Sequence, residues 1–103
     1  MPRYKASAPI WLKADDHVGP KRFEPGETFV YSGVPPIPAI PLDAEARTAK
    51  RKTLPDFWPA NASPTETRRM GLGLGASHNA NVGELRQTIT KFIEQNPLLE
   101  KAQ

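Results

Sequence analysis

Val34 to Pro41 reads VPPIPAIP, four prolines in eight residues. Proline fixes φ and has no N–H to donate, so this stretch cannot be helix interior or central strand. It is expected to be extended, close to polyproline II. The other four residues are apolar: Val34, Ile37, Ala39 and Ile40. A flexible linker would use Gly and Ser instead. A stiff apolar segment loses little entropy on docking, so Ile37 and Ile40 are candidate partner contacts. Across the chain, 12 of 103 residues are proline and 38% are hydrophobic, against ordinary proline usage of about 5%. This composition predicts a small core with arms that become ordered on a partner.

On the N-terminal side, RYKASAPIWLK (3–13) alternates, with Tyr4, Ala6, Ala8, Ile10 and Leu12 on one side. That is strand periodicity, and Pro9 argues for an edge or irregular course. DDHVGP (15–20) reads as a loop. Pro25-Gly26 fits the centre of a type II turn, and Thr28 to Tyr31 are strand formers. The two short strands around that turn are expected to pair with 3–13 in a small antiparallel sheet, which needs something packed on it.

On the C-terminal side, Asp43 is a reasonable N-cap for a short basic helix over Ala44–Lys52. That helix has only alanines to bury. TLPDFWPA (53–60) is extended. Ser63-Pro64-Thr65-Glu66 opens a second helix, expected to run through Met70 and break at Gly71. GLGLGASHNANVG is loop-like. Gly83 to Gln95 carries Leu85, Ile89, Phe92 and Ile93 on one stripe, an amphipathic helix stopped by Asn96-Pro97. The chain thus reads as one α+β domain in three stretches: a small β region (1–33), an extended Pro-rich arm with a short basic helix (34–62), and a helical C-terminal region (63–103).

Several function classes lack residues to carry them. With no cysteine there is no disulfide, thiolate metal site or cysteine nucleophile. No apolar run approaches the roughly 20 residues of a membrane span, and MPRYKASAPIW has no apolar core of signal-peptide length. Gly71, Gly73 and Gly75 do not have the spacing or the Gly-Lys-Ser/Thr ending of a phosphate loop. Asp15-Asp16-His17 reads as a solvated turn rather than a metal site. Ser77 and His78 have no residue pattern that makes them a triad. No catalytic, cofactor-binding or metal-binding residue is assigned, and the chain is expected not to be an enzyme.

What remains is binding. Arg47, Lys50 and Arg51 share a helix face and form a basic patch suited to an acidic protein surface or to phosphates. A net charge of +3 is too small to favour nucleic acid. Phe57 and Trp58 lie between prolines, where they cannot enter one local core, and are assigned to an interface. Trp11, beside strand residues, is assigned to the core.

The run F-x-P-G-x-x-F-x-Y-x-G-x-P at 23–35, followed by PLD-x-x-A-R at 41–47, resembles small structural proteins encoded among the head genes of tailed bacteriophages. The resemblance covers roughly residues 3–50. It implies a virion component, assembled in the bacterial host cytoplasm, present in many copies and ordered by the major capsid protein or other virion subunits. A capsid decoration (cement) protein that staples neighbouring subunits is the expectation. A head–tail connector, or a small nucleic-acid-binding protein, is the alternative. The resemblance carries over no catalytic residue and no cofactor.

Overall fold

The computed structural model describes residues 1–97. It is α+β, with five short strands and three helices: β1 (Arg3–Ala6), β2 (Ile10–Leu12), β3 (Lys21–Phe23), β4 (Thr28–Val30), β5 (Ala39–Pro41), α1 (Ala44–Arg51), α2 (Pro64–Leu72) and α3 (Val82–Gln95). Among the described residues, no helix is long and apolar enough to cross a membrane.

The first four strands are two halves of one long hairpin. β1 pairs with β4 and β2 with β3, both antiparallel, and Arg3↔Val30 and Ile10↔Phe23 follow one register. Pro9 lies at the break between the halves, where it interrupts the ladder because it has no N–H. Opposite it, Glu24-Pro25-Gly26-Glu27 closes the expected turn, with the Glu27 N–H donating to the Glu24 carbonyl at 3.0 Å. Gly26 takes φ +94°, which an L side chain resists. This turn does not join paired strands. It turns the chain in the middle of one side, level with the ladder break at Pro9, and the hairpin's loop is 13–20.

That core is aromatic. Tyr4, Ala6, Ile10, Phe23, Phe29, Ala39 and Ala46 are buried together, with Leu12 and Tyr31 packed against them. Phe23 and Phe29 meet at 4.8 Å between ring centroids, and Tyr4 stacks on Phe29 at 5.7 Å. The even positions of β1 and β2 point inward, as the alternation requires. Trp11 is odd, and it is 70% exposed. Its assignment to the core is therefore corrected: strand phase outweighs side-chain size.

The Pro-rich stretch divides. Residues 39–41 are a third strand, β5, on the other side of β1, with Tyr4↔Pro41 and Ala6↔Ala39 in register. The Ser7 N–H and Oγ both donate to the Pro38 carbonyl, at 3.0 and 2.9 Å. The free arm expected here is thus folded back, and Ala39 is core. Pro41 is tolerated because β5 is an edge strand.

α1 is capped by Asp43, whose carboxylate accepts from the Ala46 N–H at 2.8 Å and also from the Arg3 N–H at 3.2 Å. α2 and α3 form a second core with Leu54, Ile89 and Ile93 buried, against which Trp58, Met70, Leu74 and Phe92 pack. Gly71 does not break α2, which continues through Leu72. A Cβ on Gly71 would meet Leu85 Cδ2 at 2.6 Å, so the missing side chain sets the approach of α2 to α3. The stop comes later. Gly75, at φ +95°, donates to the Leu72 carbonyl, and Ala76 donates to Gly71, the pattern of a glycine-terminated helix.

Candidate functional site

Extended proline-rich backbone has carbonyls to satisfy and few amides of its own to pair them with. Here basic side chains from the helices supply the donors. Lys50, 1% exposed, gives its ammonium to the Pro36 carbonyl at 3.0 Å and the Ile37 carbonyl at 2.6 Å. No carboxylate lies within ion-pair distance of it among the described residues, and burial pushes its pKa down to about 8. Gly73 closes the other side of this contact. A Cβ there would fall inside the radius of the Ile37 carbonyl oxygen.

Arg51 repeats the device one residue on. Its Nη1 donates to the carbonyls of Leu54 and Pro55 at 3.1 and 3.2 Å, and Nη2 lies 3.8 Å from Asp56. Arg86 reaches from α3 to the Ala62 carbonyl at 3.3 Å. Arg68 reaches from α2 to those of His78 and Ala80. Four cations thus hold four irregular segments, using hydrogen bonds that are stronger than neutral ones.

The basic patch read from the sequence is divided accordingly. Arg47 is exposed. Lys50 and Arg51 face inward and are not available as a charged surface; this corrects the reading of 47, 50 and 51 as one basic patch for a partner. It also corrects the reading of α1 as a helix with only alanines to bury. Ile37 and Ile40 are half-buried, the first in the loop that Lys50 clamps and the second on β5. Trp58 is half-buried on the second core, and its indole N–H points to Thr67 Oγ1 at 3.4 Å. Phe57, its neighbour, is 73% exposed, and Val34 is 78% exposed.

Val34 and Pro35 form one wall of the larger open cleft, of about 660 Å³. Ala49, Thr48 and Lys52 of the first helix and its end form the facing wall, and Pro2 closes one side. The Met1 ammonium meets Glu45 at 3.1 Å beside it. A smaller cleft, of about 360 Å³, lies between the sheet and the end of α2, lined by Lys5, Ser7, Gly26, Ile40, Leu72 and His78 among others.

The acidic loop is engaged locally. The Asp15 carboxylate accepts from the Ser32 hydroxyl and N–H, and these bonds hold its pKa below the usual carboxylate range. Asp16 lies 3.8 Å from His17 Nε2. No group of three or more metal-type side chains assembles among the described residues.

One surface was missed. The odd positions of β1 and β2 place Arg3, Lys5 and Trp11 away from the core, with exposed Lys13 just after β2 and Arg22 directly across from Trp11. The period-2 pattern itself held that signal, in the half of the alternation that does not build the core.

Compared with known proteins, the chain matches no family model, no curated protein and no solved structure.

Proposed function

We propose that the chain is a non-enzymatic structural protein of a bacteriophage particle, a decoration protein that lies across neighbouring capsid subunits. The observation that supports the reading is the rigid display of Val34 and Phe57. Both stand out from proline-rich backbone that buried Lys50 and Arg51 hold in place. Large apolar side chains presented on pinned backbone have already paid most of the ordering entropy that docking requires. The molecule is also thin, 41 × 38 × 17 Å, a plate that offers broad faces to a partner. In this reading Phe57 enters a pocket on one subunit and the Val34 cleft receives apolar chain from the next. Two such contacts on one body reinforce each other, because the second becomes intramolecular once the first has formed.

The test is sedimentation of phage particles through a density gradient, followed by quantitative mass spectrometry of the particle band. The expected result is this chain in a fixed, high ratio to the major capsid protein, retained at high salt. Phe57→Asp and Val34→Asp proteins are expected to fold and to stay in the soluble fraction. A low copy number confined to one end of the particle would favour a connector instead. Absence of the wild-type chain from the band would sink both readings.

A further inference from the structure

The outward face of the hairpin has a chemistry of its own, separate from the Val34 and Phe57 surfaces. We infer that it is a binding surface for single-stranded nucleic acid. Trp11 lies near its loop end, 70% exposed, and pairs across the strands with Arg22. Exposed Lys13 follows just after β2, and Arg3 and Lys5 precede it on β1. Same-face residues along a strand recur at roughly 7 Å, so Arg3 and Lys5 are neighbours on β1, while Trp11 and Arg22 lie on the β2–β3 ladder beyond the break.

The acidic groups around the hairpin are engaged, and Asp15 also lies close enough to Lys13 for their charges to attract. Glu24 is held by Arg22 at 2.7 Å and Glu27 lies 3.5 Å from Lys21. Asp15 is bound to Ser32, and Asp16 lies beside His17. Among the described residues, no carboxylate comes within ion-pair distance of Arg3, Lys5 or Lys13. The face is also not flat. Beside the Pro25-Gly26 turn, the smaller cleft opens next to Lys5, between the sheet and the end of α2, and gives a strand a concave path.

Exposed cations complement a phosphate backbone, and an exposed indole supplies a stacking platform. An acidic peptide would use the cations and leave the indole without a partner. A duplex hides its base faces in its own stack, so the combination selects a single strand. Recognition by stacking and charge is tolerant of base sequence.

The test is fluorescence anisotropy of labelled oligo(dT) titrated with the full chain, repeated over a salt series. Binding is expected, with the three cations Arg3, Lys5 and Lys13 giving a log–log salt slope of about −2. Trp11→Ala is expected to weaken binding about tenfold or more at an unchanged slope, and Trp11→Phe to restore most of it. Lys5→Ala with Lys13→Ala is expected to flatten the slope. These side chains are exposed, and thermal melts monitor that each variant stays folded. No binding by the folded wild-type chain at low salt would overturn the inference. So would equal affinity for polyglutamate or duplex DNA, or a Trp11→Ala protein that binds as tightly as wild type. No particle is involved, so the result is independent of the decoration reading.

Discussion

The hairpin and the proline-rich segments are both irregular on paper and both ordered in the fold, but by different means. The hairpin uses backbone ladders and a buried ring cluster of Tyr4, Phe23 and Phe29. The segments around Pro36 and Pro55 have few amides to offer, and they are tied down by Lys50 and Arg51 from α1. The difference teaches where proline-rich chain finds its order. Its carbonyls remain good acceptors, and a cation on a neighbouring helix is an adequate substitute for a missing strand. A charge run on a helix can therefore be internal hardware rather than a surface.

The largest effect is expected in the hairpin. Phe23→Ala removes a fully buried ring and should cost about 4 kcal/mol, lowering stability throughout the molecule in one transition. Urea denaturation followed by both far-UV dichroism and tryptophan fluorescence checks this. Two separate transitions would break the comparison, since they would mean that the ring core does not support the pinned segments.

Gly73→Ala attacks the other region. The new Cβ displaces the Ile37 carbonyl and with it the Lys50 clamp, which should cost about 3 kcal/mol. Amide exchange should accelerate at Ala39, whose N–H donates to Pro36, well before it does in β2 and β3. Uniform acceleration would show that the clamp and the hairpin are one cooperative unit.

The pH dependence sharpens the distinction with smaller changes. Lys50 has its pKa lowered from 10.5 to about 8 in the fold. Between these values the unfolded chain holds a proton that the folded chain has lost, so stability should rise as pH climbs from about 8. Tyr4 goes the other way. Burial, and then the charge of Asp43, push its pKa from 10.0 up to about 12. Above 10 the unfolded chain loses that proton first, and stability should fall. Thermal melts across this range should pass through a maximum near pH 10. In Lys50→Met the rise should vanish and the fall remain. A rise that persists in Lys50→Met would assign it to another group.

Local signals in the chain carried much of the architecture. The alternation of 3–13 set which side chains of β1 and β2 face the core. Pro25-Gly26 specified its turn, Asp43 and Ser63 specified two helix starts, and the stripe on α3 specified a buried face. Each of these depends on neighbours within a few residues, where dihedral preference and periodicity suffice. The candidate site was legible only in fragments. Phe57 is exposed in the proline-flanked stretch that assigned it to an interface, but Ile37, Ile40 and Trp58 are half-buried, and Lys50 and Arg51 exchanged a surface role for an internal one.

What tertiary structure alone decided was the fate of long-range partners. Nothing local to VPPIPAIP says that Ala39 to Pro41 will pair with β1, because the donors and the facing strand are more than thirty residues away. Nothing local to Gly71 says that it marks a close helix contact rather than a break, because Leu85 supplies the reason. Nor does Lys50 announce that its ammonium will be buried, because the carbonyls that accept from it belong to the Pro36–Ile37 turn. The sequence by itself determined the turn, the starts of α1 and α2, and the inward faces of β1, β2 and α3. The pairing of proline carbonyls with distant cations was decided only when the elements packed, since a hydrogen bond between remote groups is specified by geometry in space and not by spacing along the chain.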